Sequence, residues 1–200
     1  MTHETGLWNV ANVLTMVRIV LVPVFVGCML AGGTAWRLAA LATFCVASLT
    51  DVLDGRLARS RGLVTDFGKI ADPVADKALT GAALICLSAL GELPWWVTGV
   101  IMFRELGVTA LRFWVIRRGV IAASRGGKAK TLLQVIAICL YILPATLSPS
   151  AIVRELFMAA AVVVTVVTGV DYVLQAVRLR RSGPAAAPVK VEDQGRQDRG

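Results

Sequence analysis

Residues 13–31 of the chain read VLTMVRIVLVPVFVGCMLA, an apolar stretch in which Arg18 is the one charged side chain. A helix of roughly 20 mainly apolar residues is long enough to cross the hydrocarbon core of a bilayer, which is about 30 Å thick. Further stretches of similar character follow, joined by short connections. We therefore predict six membrane-spanning helices, at about residues 13–31, 36–56, 73–91, 94–116, 130–147 and 152–176.

The composition also indicates a membrane protein. Of the 200 residues, 56% are hydrophobic and 17% are charged, and the mean hydropathy is +0.71. A soluble domain this small exposes too much surface to be so apolar, and the apolar blocks are too long for the strands of an outer-membrane barrel. We expect an all-α integral membrane domain over residues 1–181, and a disordered cytoplasmic tail, rich in proline, glycine and charge, over residues 182–200.

Lysine and arginine predict the orientation of the chain. Cytoplasmic loops carry an excess of basic residues, and the connections after the second and fourth predicted spans are strongly basic, as is the segment after the sixth. Both termini are therefore expected in the cytoplasm, in a multi-pass protein of the inner (cytoplasmic) cell membrane. The formal net charge of +8 is explained by these loops and their contact with membrane lipids, so nucleic acid is not an expected partner.

Aspartates cluster in the segment DVLDGRLARSRGLVTDFGKIADPVADK, residues 51–77. Asp51 and Asp54 are three residues apart at the end of the second predicted span, and Asp72 and Asp76 are four apart near the start of the third. Each pair therefore shares one helix face, and a short connection between antiparallel spans brings the pairs together. Four carboxylates at the edge of a low-dielectric slab repel one another unless cations compensate them.

This donor set predicts a metal site and a general base. Oxygen ligands without thiolate or imidazole suit Mg²⁺ or Mn²⁺, as one ion or a closely spaced pair of ions. Such ions bind substrate phosphates and stabilise charge on a leaving oxygen. One carboxylate is then left to act as base, and we favour Asp76 because it lies one turn deeper than Asp72. The alternative is a solvated loop in which the acids only pair with neighbouring basic residues.

Residues 51–76 resemble the signature of the CDP-alcohol phosphatidyltransferase family, D-x-x-D-G-x-x-A-R-x8-G-x3-D-x3-D, and they fit it at every defined position. The resemblance implies a metal-dependent membrane enzyme with six helices and a cytoplasm-facing polar cavity, in which an alcohol displaces CMP from a CDP-linked lipid. It also implies a homodimer. By this resemblance Asp51, Asp54 and Asp72 are metal ligands, and Asp76 is the base and can also contact metal. The residues implied to bind the cytidine diphosphate are Gly55, Ala58, Arg59 and Gly68.

Basic residues of the fourth and fifth predicted spans indicate an anionic acceptor. Arg104 and Arg112 lie about two turns apart on one face, and Glu105 can pair well with only one of them, so an anionic ligand is the expected second partner. Lys128 and Lys130 lie where the fifth helix is predicted to begin, after a glycine-rich entry, and helix N-terminal amides there favour phosphate. The alternative is that these lysines only orient the chain in the membrane.

Four strings, NVLTMVR at 12–18, DPVADK at 72–77, RELGVTALR at 104–112 and GKAKTLLQ at 127–134, resemble the phosphatidylglycerophosphate synthase branch of that family. The resemblance implies transfer of the phosphatidyl group from CDP-diacylglycerol to sn-glycerol 3-phosphate. Asn12 is either a helix cap or a contact for the nucleotide. Inositol phosphate and phosphatidylglycerol, the latter giving cardiolipin, are alternative acceptors. A divalent-cation transporter is the alternative of a different class, and it would distribute carboxylates through the membrane depth.

Overall fold

The computed structural model describes the backbone of residues 10–61, 66–115, 125–147 and 149–181. Side chains are described for residues 13–50, 74–75, 77–111, 129–147 and 149–177. These ranges contain α-helices and no strand, so the all-α prediction is confirmed, and each predicted span corresponds to one helix. The helices are α1 (Val10–Ala31), α2 (Thr34–Arg61), α3 (Asp66–Ala89), α4 (Trp95–Val115), α5 (Arg125–Ile142) and α6 (Ala151–Arg181).

Within the described part of the chain, two helices are long and apolar enough to cross a bilayer by length and composition. They contain Val13–Ala31, with a mean hydropathy of 2.4, and Ala151–Val177, with a mean hydropathy of 2.0. Large apolar side chains on several helices face outward, since Val20 is 62% exposed, Phe103 81% and Ile152 68%. Among the residues whose side chains are described, shorter apolar helical segments occur at Thr34–Thr50, Lys77–Ala89 and Ala129–Ile142.

The helices nearest the aspartates are longer than the predicted spans. α2 continues to Arg61 instead of ending near residue 56, and α3 begins at Asp66 instead of near residue 73. Hydropathy marks the part of a helix that is apolar, whereas backbone hydrogen bonding continues through arginine, leucine and alanine, which are good helix formers. The predicted loop between these spans is therefore mostly helix.

The start of α5 also differs from the prediction. α5 begins at Arg125, so Gly126 and Gly127 lie in its first turn and do not form a glycine-rich entry before it. Glycine costs a helix about 1 kcal/mol relative to alanine, but tertiary packing overrides that preference. α5 packs extensively against α6. Lys130 consequently lies beyond the first turn, where it contributes through its side chain and not through helix N-terminal amides.

A shared apolar core holds the helices together. Phe25 of α1 and Phe44 of α2 are buried with their rings tilted and their centroids 5.9 Å apart. Leu84 of α3, Ile101 of α4, Ile138 of α5 and Met158 of α6 belong to the same buried cluster. In a bilayer, lipid tails are as apolar as these side chains, so close van der Waals packing is the main stabilising contribution of this core.

Two tight turns meet at the end of the molecule opposite the aspartate-bearing segment. Gly32 and Gly33 connect α1 to α2 with φ angles of 72° and 83°, and Gly91 ends α3 with a φ of 75°. Glycine adopts this left-handed backbone without the steric cost of a Cβ atom. An ion pair between Arg37 and Glu92 joins the two turns. The ion pair therefore holds this end of the bundle together.

Candidate active site

A buried carboxylate on α4, Glu105, binds cations from three helices. Glu105 is 8% exposed, and its Oε2 accepts a hydrogen bond from Lys77 Nζ of α3 at 2.7 Å. Its Oε1 pairs with Lys130 of α5 and lies 3.4 Å from Nη1 of Arg104, the preceding residue of α4. We call Lys77, Arg104, Glu105 and Lys130 the Glu105 cluster. It joins α3, α4 and α5 at one point.

Close approach of α3 and α4 makes the Glu105 cluster possible. Gly81 lies one turn after Lys77 on α3, and a Cβ atom added there would lie 3.0 Å from Met102 Cε of α4. Glycine therefore lets the thioether side chain pack directly against the α3 backbone. The short distance between the two helices allows the Lys77 side chain to reach Glu105.

The electrostatics of the Glu105 cluster favour an anion. Three cationic groups surround one carboxylate, and all are largely removed from solvent, with side-chain exposures of 18% for Lys77, 15% for Arg104 and 6% for Lys130. Charges buried in a low-dielectric environment interact strongly, so a phosphate group would gain more here than at a surface. Because the cations already have partners in the protein, their geometry is held in place before a ligand arrives.

The contacts of Glu105 and Arg104 differ from the sequence-based prediction. Glu105 was expected to pair with one arginine, whereas it also binds two lysines. An anionic ligand was expected as the second partner of Arg104, but Arg104 Nη2 donates a hydrogen bond to Thr168 Oγ1 of α6 at 3.0 Å. The reason is tertiary packing, because α6 lies against α4 and brings a hydroxyl to the guanidinium group.

Lys77 contacts Glu105 and Thr168 contacts Arg104, and neither residue was predicted as a site residue. Lys77 was not singled out from sequence, yet it lies inside α3 and binds Glu105. The available signal was its position directly after Asp76 on the helix that carries the signature. Thr168 lies in the valine-rich run VVVTVVTG of α6, and a threonine in such a run gives little indication of function.

The NVLTMVR string is buried where the structure describes it. Thr15 and Arg18 of α1 are both 0% exposed, and α1 packs against α2 and α3. Threonine and arginine enclosed by apolar helices require polar surroundings, so α1 faces a polar part of the bundle interior at these two positions. The side chain of Asn12 itself lies outside the described residues.

The remaining predicted site residues have helical backbones, but their side chains lie outside the described part of the structure. Asp76 directly precedes Lys77 on α3, so the aspartate-bearing segment adjoins the Glu105 cluster along the chain. α2, which carries Asp51 and Asp54, packs against α3. The roles of these side chains stay predictions. The residues concerned are Asp51, Asp54, Gly55, Ala58 and Arg59 on α2, Gly68, Asp72 and Asp76 on α3, Arg112 on α4 and Lys128 on α5.

Comparison with known proteins defines the class of this chain. A family model described as CDP-alcohol phosphatidyltransferase matches residues 8–167. The chain therefore belongs to the CDP-alcohol phosphatidyltransferase family, whose members are membrane-bound transferases, and the resemblance seen in residues 51–76 is confirmed. Membership of this family favours a transferase over the divalent-cation transporter considered above.

Individual relatives indicate the branch. A Mycobacterium tuberculosis protein named "Probable phosphatidylglycerophosphate synthase" is 54% identical over 173 residues, which are 85% of this chain and 82% of the relative. A Bacillus subtilis protein named "CDP-diacylglycerol--glycerol-3-phosphate 3-phosphatidyltransferase" is 41% identical over 182 residues, with coverages of 83% and 94%. An Escherichia coli protein of the same name is 38% identical over 137 residues, with coverages of 66% and 75%. The predicted resemblance to this branch is confirmed.

Proposed function

We propose that the protein transfers the phosphatidyl group of CDP-diacylglycerol to sn-glycerol 3-phosphate, producing phosphatidylglycerophosphate and CMP for phospholipid biosynthesis. The names of the Mycobacterium and Bacillus relatives support this reaction. The observation that favours an acceptor with its own phosphate is the Glu105 cluster, in which three buried cations surround one carboxylate, while the names of the relatives point to glycerol 3-phosphate among such acceptors. An acceptor with its own phosphate uses such a cluster, whereas a neutral alcohol does not.

In this proposal Lys77, Arg104 and Lys130 bind the acceptor phosphate. Arginine offers a planar pair of donors to phosphate oxygens, and lysine offers a compact charge. Contacts to Glu105 hold these side chains in place, so less conformational entropy is lost when the substrate binds. Arg112, two turns further along α4, and Lys128, half a turn before Lys130, extend the same phosphate site.

The four aspartates of the signature are proposed to hold one or two Mg²⁺ or Mn²⁺ ions. The fit rests on the donor set, because Asp51 and Asp54 lie on α2, Asp72 and Asp76 lie on α3, and these two helices pack against each other. The family is generally metal-dependent. When bound, the ions neutralise the diphosphate and the departing CMP. Gly55, Ala58, Arg59 and Gly68, with Asn12 of α1, are proposed to receive the cytidine diphosphate.

Asp76 is the proposed general base. Its carboxylate accepts the proton of the primary hydroxyl of glycerol 3-phosphate as that oxygen attacks the β-phosphorus of CDP-diacylglycerol. The new bond joins the glycerol oxygen to the β-phosphorus, and the bond from that phosphorus to the oxygen of the CMP phosphate breaks. Lys77 directly follows Asp76, so the residue that binds the acceptor phosphate and the base are neighbours on one helix. This arrangement orients the hydroxyl for attack.

The proposed setting is a multi-pass protein with six spans in the cytoplasmic membrane, a cavity open to the cytoplasm and both termini on that side. The positive-inside distribution of basic residues supports it, as do the outward-facing apolar side chains. Lipid tails of CDP-diacylglycerol would then enter from the bilayer while glycerol 3-phosphate arrives from water. A homodimer is proposed from the family resemblance alone.

The proposed reaction is tested by CMP release from purified protein with CDP-diacylglycerol and Mg²⁺. Three acceptors are compared, namely sn-glycerol 3-phosphate, inositol 1-phosphate and phosphatidylglycerol, and Asp76→Asn is the inactive control. We expect release only with glycerol 3-phosphate. Release with one of the other acceptors would keep the class of reaction and reject the proposed substrate, while release that persists in Asp76→Asn would reject the proposed base.

A further inference from the structure

We propose that Thr168 and Gly169, two neighbouring residues of α6, position Arg104 for the acceptor phosphate. This inference rests on the proposed function, because it concerns the same phosphate site. Neither residue belongs to the sequence signature, and α6 otherwise carries no residue of the proposed site. The inference gives the last helix a role in substrate affinity in addition to its role in packing.

The Thr168 hydroxyl is oriented to accept a hydrogen bond from Arg104. Its oxygen lies 2.7 Å from the carbonyl oxygen of Val164 and 3.2 Å from that of Thr165, so its single proton is donated to the α6 backbone. The oxygen lone pairs then remain available, and Arg104 Nη2 donates to this oxygen at 3.0 Å. A helix backbone is rigid, and it fixes the hydroxyl direction and through it one edge of the guanidinium group.

Gly169 leaves the space that the aliphatic part of Arg104 occupies. A Cβ atom added at Gly169 would lie 3.0 Å from Arg104 Cγ, 3.7 Å from Nε and 3.9 Å from Cδ. The first of these separations is shorter than an ordinary carbon contact, so any side chain at this position would displace the arginine. Gly169 leaves room for the aliphatic part of Arg104 against α6, and Thr168 fixes the guanidinium group.

Together with Glu105, these contacts hold the Arg104 guanidinium group from two sides. Nη1 faces Glu105 Oε1 at 3.4 Å, and Nη2 contacts Thr168 Oγ1. A planar guanidinium group held at two positions has a defined plane, which is what bidentate recognition of a phosphate requires. Thr168 and Gly169 are therefore positioning residues that act through Arg104.

The first test replaces the hydroxyl and keeps the shape. We expect Thr168→Val to raise the KM for glycerol 3-phosphate roughly fivefold to tenfold, the range of an ordinary hydrogen bond because Thr168 acts only through Arg104, with little change in kcat or in the KM for CDP-diacylglycerol. Thr168→Ser retains the hydroxyl and should restore the wild-type KM. Thr165→Val is the matched control, since Thr165 lies one turn earlier on the same helix, is buried, and its hydroxyl has no hydrogen-bond partner among the described residues.

The second test fills the space at Gly169. Gly169→Ala should raise the KM for glycerol 3-phosphate by a similar factor, because the new methyl group meets Arg104. Gly107→Ala is its control, since a Cβ atom at Gly107 of α4 meets no described atom within 4 Å. Both substitutions increase helix propensity equally, so a difference between them reports the contact with Arg104.

Arg104→Gln separates the phosphate role of Arg104 from the positioning role of Thr168 and Gly169. If Arg104→Gln leaves the KM for glycerol 3-phosphate unchanged, the phosphate role of Arg104 fails and the positioning role fails with it. If Arg104→Gln raises that KM while Thr168→Val and Gly169→Ala do not, the proposed function stands and the positioning role is rejected. Equal effects of Thr168→Val and Thr168→Ser, or equal rises in both substrates' KM values, would also reject positioning.

Discussion

Glu105 holds the side chains of Lys77 and Lys130 together, so its charge matters for both stability and binding. Removing one partner of a buried ion pair typically costs about 3 kcal/mol or more, because the other charge remains in a low-dielectric environment. We expect Glu105→Gln to lower the unfolding temperature of the purified protein in detergent. Added glycerol 3-phosphate should stabilise this variant more than wild type, because its phosphate replaces the lost negative charge.

Glu92→Gln is the control for Glu105→Gln, since Glu92 pairs with Arg37 at the opposite end of the bundle. Its unfolding temperature should respond to glycerol 3-phosphate as wild type does. An equal response of Glu105→Gln and wild type would contradict the phosphate role of the Glu105 cluster.

The proposed contact between Lys77 and the acceptor phosphate can be tested by removing the charge of Lys77. If Lys77 binds the acceptor phosphate, Lys77→Gln should raise the KM for glycerol 3-phosphate by roughly tenfold, the magnitude of a lost charge-assisted hydrogen bond. Steady-state kinetics with each substrate varied in turn measures this effect. Lys190→Gln, in the segment after α6, should leave both KM values unchanged. A rise confined to the KM for CDP-diacylglycerol would assign Lys77 to the donor instead.

Individual charges in apolar segments identified three members of the Glu105 cluster. Arg104, Glu105 and Lys130 could be singled out from sequence because buried charge is costly without a function. Lys77 was not predicted, since its contact with Glu105 depends on how α3 packs against α4. Thr168 could not be predicted, because a threonine can satisfy its hydroxyl on its own helix and only tertiary packing brings Arg104 to it.

The contact between Gly81 of α3 and Met102 of α4 sets how closely these two helices approach each other. Gly81→Val would push α3 away from Met102 and lengthen the distance between Lys77 and Glu105, and overpacking of this kind typically costs about 1–3 kcal/mol. We expect a lower unfolding temperature and a higher KM for glycerol 3-phosphate. Thermal unfolding and steady-state kinetics on the same preparation measure the two effects.

A second substitution at Met102 distinguishes a clash with Met102 from a general effect of placing valine in a helix. Gly81→Val combined with Met102→Ala should recover much of the loss, because the shortened side chain makes room for the valine. Gly99→Val is the control, since a Cβ atom at Gly99 of α4 meets no described atom within 4 Å. If the double variant is no better than Gly81→Val, the α3–α4 spacing is not controlled by this contact.

The helices of the described residues and their order could be predicted from sequence, but the ends of the helices could not. The apolar blocks specify where each helix exists, because a long apolar segment must satisfy its backbone hydrogen bonds internally. The last turns of α2 contain Arg56, Arg59 and Arg61, which lower hydropathy but favour helix. The result is that α2 and α3 extend beyond the apolar region, and the aspartates lie within continuous helix backbones.

The orientation of the whole molecule is a prediction from its basic loops. In a chain whose native cysteines are replaced by alanine, a cysteine at Thr146, in the α5–α6 turn, should react with a membrane-impermeant maleimide in intact cells. A cysteine at Ser182, after α6, should react only after permeabilisation. Retained activity would show that the substitutions leave the fold intact. The reverse labelling pattern would contradict cytoplasmic termini and a cytoplasm-facing site.

Transfer of a radiolabel from the acceptor into lipid tests the proposed reaction. Purified protein is incubated with CDP-diacylglycerol, Mg²⁺ and radiolabelled sn-glycerol 3-phosphate, and the label in the lipid phase is compared with the CMP released. We predict one labelled lipid molecule for each CMP, with both lost in Asp76→Asn. CMP release without label in lipid would mean hydrolysis of the donor and would contradict the proposed transfer.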